Sequence, residues 1–162
     1  MLFLAKHLRE ISFAQLMEIY EEGNLENGGL MHPDLPESQQ LMYAEQSFYQ
    51  FLAEVFFPVP GAVYALWVEE GRYRSALRLE PYEDGLLLEA LETAPQYRRQ
   101  GYAEKLMRAV QEASPQKIYS HVSKRNTASL AIHEKCGFRQ ILDHARYIDG
   151  SVSRNAVTFC YP

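Results

Sequence analysis

Two hydrophobic rhythms divide the chain near Pro58-Val-Pro-Gly61. Before that point apolar residues mostly recur at helical spacing; after it they mostly alternate. Residues 2–9 read as a first strand, and Ser12-Phe-Ala-Gln15 reads as a capping box opening a helix with Phe13, Leu16, Met17 and Tyr20 on one face. Gly23, Asn27, Gly28 and Gly29 predict that this helix gives way to a loop at 24–37. Asp34-Leu-Pro-Glu37 then starts a second helix whose buried face is Leu41, Ala44, Phe48, Phe51, Leu52 and Val55.

Ala62–Val68 and Arg72–Glu80 alternate as strands around the turn Glu69-Glu-Gly71. Strict alternation places Tyr73, Ser75, Leu77 and Leu79 on one face of the second, and Arg72, Arg74 and Arg78 on the other. Pro81–Gly85 turns into a strand from Leu86, completing an antiparallel meander. Ala103, Leu106, Met107, Val110 and Ala113 form a helical stripe closed by Ser114-Pro115, and Lys117–Ser123 is a strand. Asn126–Cys136 is a helix with Gly137 as its left-handed cap, and 138–148 with 151–161 make a closing hairpin around Asp149-Gly150.

The order β-α-α-β-β-β-α-β-α-β-β predicts one α/β (α+β) domain over 1–162. Its central sheet is mixed and mostly antiparallel, of about seven strands, with about four helices on both faces. The unit at 86–123 needs a helical crossover, so those two strands should pair in parallel.

Composition narrows the function. With 47% hydrophobic and 23% charged residues the chain is globular rather than disordered. A net charge of −5 argues against a nucleic-acid binder and suits a cationic substrate. Cys136 and Cys160 are the only cysteines and lack metal-ligand spacing or a disulfide framework. No stretch reaches the ~20 apolar residues of a membrane span, and the apolar start breaks at Lys6, too early for a signal peptide, so a cytoplasmic location is expected.

The chemistry centres on Arg98-Arg-Gln-Gly101-Tyr-Ala103, between a strand and a helix. Gly101 allows close backbone approach, Ala103 does not block it, and the first helical amides with two arginines suit a pyrophosphate. No Gly-Lys-Ser/Thr follows, which excludes a P-loop. The first glycine of G-x-G-x-x-G is absent, which excludes a dinucleotide fingerprint.

The stretch Leu88–Ala103 resembles the cofactor motif of the GCN5-related N-acetyltransferase (GNAT) family, including the Pro and Tyr before the arginines. Asn126-Thr-Ala-Ser-Leu-Ala-Ile-His-Glu-Lys-Cys-Gly-Phe138 is similar to that family's N-x-x-A/S-x-x-x-Y-x-K-x-G-F element. One helix and one strand separate the two, as the resemblance requires.

The resemblance implies the GNAT fold and transfer of acetyl from acetyl-CoA, without a metal, to a primary amine of a small molecule, a peptide N-terminus or a lysine. It implies that backbone groups at Leu91 and Thr93 pair with the pantetheine arm. Arg98, Arg99, Gln100, Gly101, Tyr102 and Ala103 would hold the pyrophosphate, and Asn126 and Ser129 would line the opposite wall. Charge and hydropathy predict neither a nucleic-acid nor a membrane partner, and the family resembled often pairs as homodimers. Where the family usually carries a tyrosine proton donor, this chain has His133, seven residues beyond Asn126 and on the same helix face.

An ammonium acceptor also needs a base. Glu89 and Glu92 fall on opposite faces of the strand unless a bulge intervenes, so alternation leaves both open, with His121 a third candidate. Cys136 at a helix C-terminus reads as packing. A different reading is a non-catalytic CoA-binding sensor or interaction module. Around the acceptor, Tyr20, Glu21, Glu22, Asp34, Glu37, Tyr43, Tyr147 and Asp149 could hold a cation.

Overall fold

In the computed structural model, which describes residues 1–162, the elements follow the chain as β1 (Leu2–Ala5), α1 (Phe13–Ile19), α2 (Glu21–Met31), α3 (Glu37–Phe51), β2 (Val63–Glu69), β3 (Arg72–Tyr82) and β4 (Gly85–Thr93). Then come α4 (Tyr102–Ala113), β5 (Lys117–Ser123), α5 (Thr127–Lys135), β6 (Arg139–Leu142), β7 (Ala145–Arg146), β8 (Val152–Ser153) and β9 (Ala156–Tyr161). Seven strands form one sheet in the order β1-β2-β3-β4-β5-β9-β6, while β7 and β8 make a separate small hairpin. Every neighbour in the large sheet is antiparallel except β4 with β5. The mixed, mostly antiparallel sheet is thus as the element order predicts, with five helices rather than four. No helix is long and apolar enough to cross a membrane.

The sheet separates two apolar layers. One holds Leu77, Leu79 and Leu88 against Leu106, Met107 and Val110 of α4, and continues to Phe138, Val157 and Phe159. The other holds Tyr64, Leu66 and Ala76 against Leu16, Ile19, Leu52 and Phe56. The α4 stripe read from sequence is therefore real, and each of its three buried side chains contributes about 1.5–3 kcal/mol.

Several expectations change. The first strand stops at Ala5, because the Glu10 carboxylate accepts the backbone N–H groups of Lys6 and His7 (both 2.9 Å) and turns the chain into a 3-10 segment, Leu8–Glu10. Ser12 caps α1, but the box is half made: the Gln15 side chain donates to the Gly71 carbonyl and accepts from Tyr73 N–H instead. The expected loop at 24–37 is helical through Met31. Gly28 acts there as a contact point, since a Cβ would collide with the Gln40 backbone of α3.

The helix after Phe51 widens into a π-turn, Leu52–Phe56. The wider turn brings Phe56 inward and leaves Val55, expected on the buried face, 57% exposed. Strict alternation also fails in β3. The register skips Arg74, pairing Trp67 with Ser75 and Val68 with Tyr73. The bulge joins Tyr73 to the Ala76 layer and turns Arg74 onto the rings of Tyr97 and Tyr102 (3.8 and 5.7 Å). The closing hairpin is present as β6–β9, with β7–β8 as an excursion between them.

Candidate active site

Arg74 fixes the approach to the cleft. Its carbonyl accepts Ala94 N–H (2.9 Å), and its guanidinium covers Tyr97, so the 3-10 turn Pro95–Tyr97 is held from below. The chain then passes through Arg99 (φ 61°) and Gly101 (φ 81°), both left-handed, before α4 begins. A Cβ on Gly101 would meet nothing within 4 Å, so glycine is favoured for its backbone angle and the space beside it is open.

The first helical bond runs from Lys105 N–H to the Gly101 carbonyl, and no side chain caps the end. The amides of Tyr102, Ala103 and Glu104 consequently face a groove of about 430 Å³ without acceptors. Arg98, Arg99 and Lys135 also line it. Glu104 shares this wall, but Lys135 (2.8 Å) and Arg108 (2.9 Å) neutralise its carboxylate and hold it below the usual range. At the groove's edge the Arg98 guanidinium is paired with Glu22 of α2 (3.0 Å) and Glu92 of β4 (3.4 Å). The Tyr102 hydroxyl donates to Glu69, and the Gln100 side chain to the Gln96 carbonyl (3.4 Å).

Beyond this seat β4 and β5 part. They pair only from Gly85–Lys117 to Leu88–Ser120. Two further cavities fill the fork: one of about 260 Å³ lined by Leu91, Thr93, Asn126 and Ser129, and an inner one of about 190 Å³ lined by Glu89, Ser120, His121 and His133. Asn126 is set by its cap role, accepting Ser129 N–H (3.1 Å). The first and second share Thr93, Ala103 and Ile132, the second and third share Leu91, Asn126 and Ser129, and the three adjoin in a row along the fork.

A bulge decides the face of the glutamates. Arg78 opposes Glu89 and Ala76 opposes Glu92, so two β4 residues face Leu77 alone, with Ala90 at φ 53°. Arg78 and Ala76 share a face, so both glutamates do as well. Tyr20, the junction residue between α1 and α2, pins the bulge by donating to the Ala90 carbonyl (2.7 Å). Burial, then the Glu80 charge, raises Glu89 to about 7, with Arg78 opposing. Burial raises Glu92 as well, with its ion-pair partner Arg98 pulling it back.

His121 sits edge-on to Tyr82 and Tyr147, its Nε2 lacks a partner, and burial lowers its pKa. Of the remaining acceptor-side candidates, Glu21, Asp34, Glu37, Tyr43 and Asp149 are exposed, and Tyr43 stacks on His32.

His133 is 1% exposed, with both ring nitrogens engaged. Nδ1 lies 2.7 Å from the Ser129 carbonyl and Nε2 2.8 Å from Ser120 Oγ. Burial lowers its pKa, with the Ser129 carbonyl opposing. Ser120 was not singled out from sequence, although a polar residue between Ile118 and Val122 on the inward face of a strand was a usable signal. Cys136 is buried in the core, and burial raises its thiol. No cluster of three or more His, Cys, Asp or Glu side chains is placed to hold a metal ion.

The groove has the shape for an elongated ligand with an anionic end. Uncapped amides and three cationic side chains lie at one end, strand edges unpaired between β4 and β5 continue from them, and a narrow polar chamber lies at the other end.

Among solved structures, an acetyltransferase from Thermus thermophilus matches with a TM-score of 0.64 at 16% identity, over 99% of this chain and 96% of that one. The ribosomal-protein-S18-alanine N-acetyltransferase of Escherichia coli matches at 0.60 and 16%, over 100% and 94%. The PaiA N-acetyltransferase of Thermoplasma acidophilum, in complex with coenzyme A, matches at 0.58 and 10%, over 99% and 98%. No curated protein sequence matches the chain significantly. The family model described as the acetyltransferase (GNAT) family matches residues 14–138, across the π-turn, the bulge, the uncapped helix and α5, and the chain belongs to that family.

Proposed function

We propose that the protein transfers acetyl from acetyl-CoA to a primary amine of a small molecule, a peptide N-terminus or a lysine. The observation that carries this reading is the single groove running from the uncapped α4 amides, through the β4–β5 fork, to Glu89. Acetyl-CoA supplies the activated acyl group.

Amides from Arg99 to Glu104 bind the pyrophosphate and the Arg99 side chain adds charge, the Arg98 N–H being taken by the Pro95 carbonyl (3.5 Å). The Arg98 side chain instead braces the loop against α2 and β4. Backbone groups at Leu91 and Thr93 hold the pantetheine arm as an added strand, with Asn126 and Ser129 as the opposite wall. The bulge at Ala90–Leu91 breaks strict strand pairing, and a backbone N–H near Leu91–Thr93 donates to the developing oxyanion.

Glu89 is the base. It lines the inner chamber, and its raised pKa suits removal of a proton from an ammonium group near neutrality. Glu92, paired with Arg98, orients the loop rather than accepting that proton.

The test is CoA release from acetyl-CoA with polyamines, aminoglycosides, free amino acids and peptides bearing an N-terminal alanine or an internal lysine, alongside calorimetric CoA binding. Binding with amine-dependent release is expected. Tight binding with no release from any amine would favour a CoA-sensing module, and absence of binding sinks the proposal.

A further inference from the structure

We infer that Ser120, backed by His133, carries a proton from the attacking amine to the departing sulfur; this rests on the transfer reaction proposed above. Ser120 stands opposite Leu88 in the last β4–β5 register pair, at the fork itself. It is 2% exposed, with its side chain on the sheet face of Leu88 and Val122, and it borders from that side the same fork chamber that Glu89 borders from the other face.

The hydrogen bonds around His133 fix its tautomer. The Ser129 carbonyl, 2.7 Å from Nδ1, can only accept, so Nδ1 carries the hydrogen. Nε2 then presents a lone pair, and the Ser120 hydroxyl donates to it across 2.8 Å. Phe159 stacks on the ring at 5.5 Å and Phe138 meets it edge-on at 5.1 Å, so its orientation is set by packing. The groups facing the ring from β5, β9 and the α5–β6 turn, Ser120, Phe159 and Phe138, are uncharged. Within α5, Ser129 contributes its carbonyl and a hydroxyl at 3.3 Å from Nδ1. A hydroxyl on an imidazole, itself oriented by an acceptor at the far nitrogen, is a proton-shuttling arrangement. The ring borders the chamber itself, and Ser120 stands between its Nε2 and the fork.

The proton account closes on Glu89, Ser120 and His133, with Glu89 releasing its proton to solvent after each turnover. Glu89 takes the first proton, converting ammonium to amine. As the amine forms its C–N bond, Ser120 Oγ accepts the second proton while its own hydrogen passes to His133 Nε2. The imidazolium is held by the Ser129 carbonyl. When the C–S bond breaks and its electrons leave on sulfur, Nε2 returns a hydrogen to Ser120, which gives its other to the sulfur. One N–H and one C–S bond become one C–N and one S–H bond, with no oxidant or reductant.

The test compares Ser120→Ala, Ser120→Thr, His133→Gln and the Ser120→Ala/His133→Gln double variant, using the panel amine with the fastest turnover. Ser120→Ala and His133→Gln should each lower kcat about 10²–10³-fold, the double variant should be no slower than the worse single, and Ser120→Thr should keep most of the rate. Calorimetric CoA affinity should stay within about threefold of wild type in all four. Nitrogen-15 NMR of the ligand-free protein at pH 7 should show His133 as the Nδ1–H tautomer.

A Ser120→Ala enzyme as fast as wild type overturns the relay, as do single effects that multiply in the double variant, an Nε2–H tautomer, or acetyl retained on Ser120 after acetyl-CoA alone. Those outcomes leave the transferase reading intact. A wild type that binds CoA but acetylates nothing overturns both.

Discussion

Burial of Glu89 beside Glu80 raises its carboxyl to about 7, so the native protein holds a proton there that an unfolded chain releases near the ordinary carboxylate range. The folded pKa lies above the unfolded one. The native state is therefore progressively penalised as pH rises through this window, and the full penalty applies above 7. Glu89→Gln should raise unfolding stability at pH 8 by about 1–2 kcal/mol, measured in urea and discounted for partial exposure. The same change should lower kcat by about 10²–10³-fold and remove the rise of the wild-type rate through pH 7. A variant that loses both stability and rate would speak against the proposed base. Both glutamates were visible in the sequence. Their common face was not, because it depends on Ala90 taking a left-handed angle that alternation does not record. Arg98 was legible as a charge, but its partner Glu22 lies 76 positions away.

At the scale of elements, α2 shows why glycines misled. Gly23 has open space around its Cα, whereas Gly28 touches the α3 backbone. Gly23→Ala should stabilise by about 0.5–1 kcal/mol through helix propensity, and Gly28→Ala should cost about 1–3 kcal/mol by overpacking. Urea midpoints at unchanged slope would show the two signs; equal effects would remove the close contact as the reason for Gly28. Helix α4, the β2–β3–β4 meander and the parallel β4–β5 pair were readable because single faces meet single layers. The bulges at Arg74 and Ala90 and the π-turn at Leu52–Phe56 were not, since each inserts a residue whose cost is offset by tertiary packing.

For the molecule as a whole, the groove draws its walls from both sides of the sheet's one parallel seam, so filling it should stabilise the entire fold. At about a hundredfold excess over its dissociation constant, CoA should add about 2.7 kcal/mol and raise the melting temperature by roughly 5–10 °C. Scanning fluorimetry without such a rise, at a concentration shown calorimetrically to saturate, would sink coupling between groove and fold.

The strand order also bears on biosynthesis. β9 sits between β5 and β6 although both precede it in the chain. Until residues 156–161 leave the ribosome, β5 and β6 expose unpaired inner edges, and Val157 and Phe159 are missing from the core. A polypeptide ending at Asn155 should aggregate, and co-expression of the 154–162 segment should restore soluble protein, read by fractionation. Because the His133 ring stacks on Phe159, the inner chamber is completed only when that strand docks. A nascent chain interrupted before it yields no half-active enzyme, only material for quality control.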